Sequence, residues 1–195
     1  MQLDRCWKPS NLHNILLGMF FQWIGWMMLN SGQWYNLTGD GQEKVSLSIK
    51  NCTVAPLASI LTIFVLDKYQ KNREMRLHFN KLKDGLIVGL VSISGASDQY
   101  SQLGAIIIGI VGALIYFFSQ KLTSRYGIDD PVNASHIHGL CGVWGTISVS
   151  LLSPDHGIFY GATGSFKMLC VQFLGILFII GWVGSISLTY FYISM

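Results

Sequence analysis

Six stretches of this sequence approach the length of a membrane-crossing helix while carrying few charged residues, and that pattern limits the possible folds more than any motif does. A helix that crosses the hydrocarbon core needs about 20 mostly apolar residues, and only helices or closed barrels pair every backbone group without water. The stretches are 12–32, 49–66, 82–98, 103–122, 131–152 and 168–193. In the third, the uncharged part runs only from 85 to 97, so this helix must start near Phe79 or be shielded by its neighbours. Charged residues make up 12% of the chain against 51% hydrophobic, about half the charged fraction of a soluble domain. The expected fold is an all-α integral membrane protein of about six transmembrane helices.

Charge placement orients them. With the amino terminus in the cytoplasm, Arg5, Lys8, Lys68, Lys71, Arg73, Arg76, Lys81, Lys83, Lys121 and Arg125 fall inside, and Lys44, Lys50 and Lys167 outside. Basic residues favour the cytoplasmic side, so both termini are expected there. The segment 69–83 reads as a cytoplasmic loop that fixes topology rather than a lipid-binding tract. The apolar stretch after Arg5 and Lys8 is too long for a signal segment and lacks a small-residue cleavage site, so it reads as a retained helix. Cys6, Cys52, Cys141 and Cys170 are scattered singly and read as packing residues, not as a disulfide or metal framework.

Local signals mark the ends of helices. Gly39-Asp40-Gly41 reads as a turn on the outer side, where Asn36-Leu37-Thr38 forms a glycosylation sequon centred on Asn36. Gly127 suits a left-handed helix end, Asp130 can cap free amides, and Pro131 suits the first helical position, so a helix is expected to begin at Pro131. Gly139, Gly142 and Gly145 recur on that helix as a strip for close packing. Gly104, Gly109 and Gly112, and Gly175, Gly181 and Gly184, suggest the same on the fourth and sixth helices.

His138 lies near the middle of its helix, where an ionisable group is expensive unless it faces protein or a wet cavity. His136 is about 200 degrees away around an α-helix, so the two rings cannot chelate one ion. His138 is either a lining group or an interhelical hydrogen bond that fixes packing. Trp23, Trp26 and Asn30 crowd the outer end of the first helix, where the indoles read equally as interfacial anchors or as walls that attract a cation. A membrane enzyme built on His13, His78, His136 and His156 lacks any compact ligand spacing.

Four ordered blocks carry a resemblance. Trp23-Ile24-Gly25-Trp26-Met27-Met28-Leu29-Asn30 is similar to the GW..FN motif of the Amt/MEP/Rh ammonium transporters, and Asn51-Cys52-Thr53 resembles the NT element that follows it. Residues 84–94 resemble the family's small-G-xx-A-GLV-x-IT segment. Asp129-Asp130-Pro131 leading into 136–145 resembles its DDP and VHG..G.WG signature. The resemblance implies an eleven-helix fold whose first ten helices form two inverted repeats around a narrow pore, assembled as a homotrimer. This chain then corresponds to the sixth through eleventh helices, a partial transporter domain over 1–195.

That correspondence makes His138 the second of a pair of pore histidines and Trp26 an aromatic wall of the pathway. It implies ammonium or ammonia as the substrate, membrane lipid as the surroundings, and the plasma membrane as the location. It implies no enzyme activity, cofactor, metal or nucleic-acid partner. Leu29 stands where the family has a gating phenylalanine, Gln33 replaces a small residue near ammonium recruitment, and Asp84 and Asn133 are atypical, which bears on vestibule selectivity. The alternative is a nontransporting membrane subunit or a truncated family member. The topology predicts that a cysteine introduced at Asn72 is protected from an impermeant reagent on intact cells while one at Gly41 is labelled; labelling at 72 would contradict it.

Overall fold

The computed structural model describes residues 11–34, 38–68, 75–127 and 130–194, without the side chains of 75–78 and 124. Cys6, Asn36 and residues 69–74 of the expected cytoplasmic loop lie outside the described residues. Six α-helices follow one another: α1 (Leu12–Ser31), α2 (Asp40–Lys68), α3 (Met75–Ile93), α4 (Gln102–Tyr126), α5 (Cys141–Leu152) and α6 (Ser165–Ser194). A π-helical segment, Ser135–Leu140, runs directly into α5. Among the described residues four helices, α1, α2, α4 and α6, are long and apolar enough to cross a membrane.

The helix edges differ from the sequence expectation for identifiable reasons. The second helix starts at Asp40 rather than 49, and its first turn carries Asp40 and Glu43, whose charge favours a helix amino terminus. The third starts at Met75 and is the central element, with 84–90 all buried. Protein rather than lipid surrounds it, which explains why its short apolar run suffices. The fifth does not begin at Pro131. Asn133 adopts a left-handed backbone with φ 57°, and Asp130 accepts hydrogen bonds from the amides of Ala134 and Ser135 at 3.0 and 2.9 Å, so winding starts after this cap.

Close packing centres on residues 55 and 56 of α2. A Cβ added at Gly89 of α3 would collide with the Pro56 backbone, and one at Gly109 of α4 with the Ala55 carbonyl. Gly95 and Gly145 meet in the same way where α5 crosses the end of α3. The glycine strip on the fifth helix is thus tight only at Gly145, since Gly142 makes ordinary contact and Gly139 faces open space. Gly104 meets only Tyr100 and Ser101 of its own turn, and Gly175, Gly181 and Gly184 touch nothing. The expected tight packing of α6 is absent because this helix meets the bundle mainly through α5 and leaves its apolar surface exposed. Cys170 is exposed there, whereas Cys52 and Cys141 are buried packing residues.

Pro56 sits inside α2 and has no amide proton for the carbonyl four residues earlier, that of Cys52. The Trp23 indole supplies it, with Nε1 donating to the Cys52 oxygen at 3.1 Å. Neighbouring helices commonly satisfy a carbonyl freed by proline in this way. Trp23→Phe should therefore cost about 1–3 kcal/mol of unfolding free energy in mild detergent, the penalty of an unpaired buried carbonyl. In a Pro56→Ala background, which restores the backbone donor, the same change should cost much less; equal costs in both backgrounds would remove this role from Trp23.

Candidate functional site

At the end of the bundle where α1 and α3 finish, Ser94 gathers two donors. Trp26 Nε1 and Asn30 Nδ2 both donate to Ser94 Oγ, at 2.8 and 3.2 Å, while Ser94 donates to the Leu90 carbonyl at 2.7 Å. Asn30, only 3% exposed, also lies 3.2 Å from Cys52 Sγ. The indole edges of Trp23 and Trp26 are thus used to pin α1 onto α2 and α3. Leu29 is 65% exposed and Gln33 is exposed as well, so neither joins this network.

The loop after Ser94 is tied down from both sides. Asn51 Nδ2 donates to the carbonyls of Ser97 and Tyr100 at 2.8 and 2.7 Å, and Ser48 pairs with Ser97 at 2.7 Å. Tyr100 pairs with Ser148 of α5 at 2.8 Å. A rigid scaffold therefore underlies the exposed rim at Leu29 and Gln33.

The opposite end holds a second polar cluster. Tyr116 donates to Asp84 Oδ2 at 2.7 Å, and Asn133 Nδ2 donates to the same oxygen at 3.1 Å. Gln120 closes the ring, donating to Tyr116 at 2.7 Å and to Asn133 Oδ1 at 2.9 Å. Asp84 Oδ1 has no hydrogen bond, but the Lys83 ammonium lies 3.2 Å away and balances the buried charge. Asp84 precedes Ser94 by ten residues, or about 15 Å along a helix. Asp84 and Asn133 thus belong to a different end of the bundle from Trp26, Leu29, Asn30 and Gln33.

The π segment separates its two histidines. His136 is buried, its ring edge-on to Tyr116 at 6.4 Å and its Nε2 3.2 Å from Thr123 Oγ1. His138 is exposed, and among the described residues its imidazole has no hydrogen-bond partner. Gly139 and Leu140 beside it are exposed as well. Desolvation pushes the Asp130 carboxyl upward, but the hydroxyl and amide of Ser135, the amide of Ala134 and nearby His136 outweigh it and hold the group below its ordinary value. A π turn of this kind recurs at functional sites.

The sequence profile of the Ammonium Transporter Family matches residues 3–195. The chain belongs to that family. It is 30% identical to Ammonium transporter 1 member 1 of Arabidopsis thaliana over 92% of this chain and 39% of that protein. It is 30% identical to Ammonium transporter 3 of Dictyostelium discoideum over 95% of this chain and 46% of that protein. Among solved structures, a Sensor Amt Protein aligns with a TM-score of 0.81 at 24% identity, covering 94% of this chain and 44% of that one. Mep2 of Saccharomyces cerevisiae aligns at 0.79 with 25% identity, covering 92% and 40%. The chain therefore spans about two fifths of the length of the ammonium transporters it matches.

Asp84 and Asn133 are hydrogen-bonded to each other, so the two belong to one polar cluster. Sequence reasoning missed Ser94, Tyr116, Gln120 and Thr123. Tyr116 and Gln120 had a usable signal, since two polar residues four apart share one face of a helix. Asp84→Leu, which strands the Tyr116 hydroxyl and the Asn133 amide, should lower the unfolding free energy by about 1–3 kcal/mol for each group left unpaired. Asp84→Asn keeps an acceptor and should cost less. Thermal unfolding in detergent that ranks the two variants the other way would refute this description of the cluster.

Proposed function

We propose that this integral membrane protein forms one wall of a pore for ammonium or ammonia, completed by a first inverted repeat. Its single strongest support is the π segment, which buries His136 and exposes His138 with no partner among the described residues. An ionisable side chain left unpaired at membrane depth is justified by a water-lined or protein-lined cavity, not by lipid. Transporter sites of this kind lie at the interface between repeats. The relatives in Arabidopsis and Dictyostelium carry the name ammonium transporter, in keeping with this reading.

The mechanism follows from the positions. The cation is recruited at the rim formed by Trp26, Leu29 and Gln33, where the aliphatic Leu29 lacks the ring face that attracts a cation by about 0.5–2 kcal/mol. It sheds water as it enters a narrow apolar lumen, and the neutral His138 ring offers nitrogen contacts in place of hydration. Asn30 acts indirectly by holding Ser94, and so the Trp26 indole. Assembly is as a homotrimer in the plasma membrane, with both termini in the cytoplasm, and Asn36 on the outer loop is available for a glycan.

In a chimera carrying a compatible first repeat, His138→Leu should change ammonium flux or selectivity per folded trimer while leaving the amount of folded protein nearly unchanged. Normal flux per folded trimer would reject the pore role. Loss of assembly with normal flux from the survivors would instead make His138 a packing residue.

A further inference from the structure

A cleft of about 870 Å³ opens between the ends of α2, α3 and α4 and the turn before the π segment, lined among others by Lys121, Thr123, Arg125 and His136. His136 faces this cleft whereas His138 is exposed on the other side of the same segment, so the cleft is separate from the proposed conduction face. Its size lies within the range of small-molecule sites. Two carboxylates reach it, and both are engaged: Asp67 with Lys81, and Asp130 with the amides of Ala134 and Ser135. Lys121 sits 4.3 Å over the Phe117 ring, and among the described residues neither Lys121 nor Arg125 has a carboxylate partner. The lining cations Lys81, Lys121 and Arg125 outnumber the lining carboxylates Asp67 and Asp130 by three to two, so the net charge of the cleft is positive.

Its other boundary is apolar. Phe118 and Leu122, 61% and 53% exposed, lie on the outer surface of α4 and continue the cleft onto the exposed apolar face of that helix. A free anion has no use for that surface, but a lipid does, because its head can meet the cations while its chains follow the apolar wall. Basic pockets between transmembrane helices on the cytoplasmic side suit anionic head groups, and a guanidinium fork matches phosphate oxygens. We infer that the cleft at Lys121 and Arg125 binds the phosphate head group of an anionic lipid from the cytoplasmic leaflet. The inference rests on the orientation read from the basic asymmetry, and it does not depend on ammonium conduction.

The test uses the full chain in mild detergent, with dioctanoyl phosphatidic acid as the probe and binding followed by native mass spectrometry. Saturable binding is expected, with Lys121→Gln/Arg125→Gln binding roughly tenfold or more weakly, since each cation near a head group contributes about 1 kcal/mol. Lys50→Gln/Lys167→Gln, at the other end of the bundle, should bind as the unchanged protein does. Dioctanoyl phosphatidylcholine should bind much more weakly, and millimolar inorganic phosphate should not displace the lipid. Undiminished binding by the Lys121/Arg125 variant, equal binding of phosphatidylcholine, or displacement by inorganic phosphate would each overturn the inference. Should the double variant fail to fold, a photoreactive phosphatidic acid on the unchanged protein decides: crosslinks within 117–125 support the site, and crosslinks confined elsewhere refute it.

Discussion

Helices in lipid gain little from hiding apolar surface against one another, so the bundle depends on how closely their backbones can approach. Here the approach is concentrated at Ala55 and Pro56, which Gly109 and Gly89 clasp from two sides. The same place carries the bundle's main backbone liability, because Pro56 deprives the Cys52 carbonyl of its donor. Trp23 removes that liability and in doing so attaches α1. Packing of α2, α3 and α4 and the seating of α1 are thus two consequences of one point in α2.

From that point the functional geometry follows. With α1 seated, Trp26 and Asn30 converge on Ser94, and the loop held by Asn51 and Ser48 supports the rim. At the other end α3 and α4 are close enough for Asp84, Tyr116, Gln120 and Asn133 to form a ring, which anchors the turn leading to the π segment. That anchorage gives the two histidines opposite surroundings. A polar network filled by its own members is a means of fixing one arrangement, and here it fixes which imidazole is left free.

Much of this was legible in the sequence because it depends on composition and periodicity. The apolar stretches implied an all-helical membrane fold, the ordered motifs implied the family, and Asp130 announced itself as a cap. Other features depend on contacts that a linear pattern does not carry. The π turn replaces an α-helix expected from Pro131, since only the placement of Asn133 by Asp84 and Gln120 shows where winding can start. The sequence left Trp23 and Trp26 as interfacial anchors or cation-attracting walls, and it could not show that their indole N–H groups tie α1 to Cys52 and Ser94. Glycines on α6 looked like those on α4, yet a helix that touches the bundle through α5 gives them nothing to pack against. Leu29 and Gln33 are placed on an exposed rim, and their role in selectivity belongs to the functional proposal.

The π segment gives its histidines opposite roles in the proposed pore, His138 to the pathway and His136 to the interior. The variants His138→Cys and His136→Cys, each in an otherwise cysteine-free pore completed by a first repeat, test this through modification by a small water-soluble thiol reagent during ammonium flux. Modification of the His138→Cys variant is expected to block flux, and an ammonium analogue such as methylammonium should slow the reaction, while treatment of the His136→Cys variant leaves flux unchanged. Unchanged flux after treatment of the His138→Cys variant, or a block of flux in the His136→Cys variant, would contradict this division of roles.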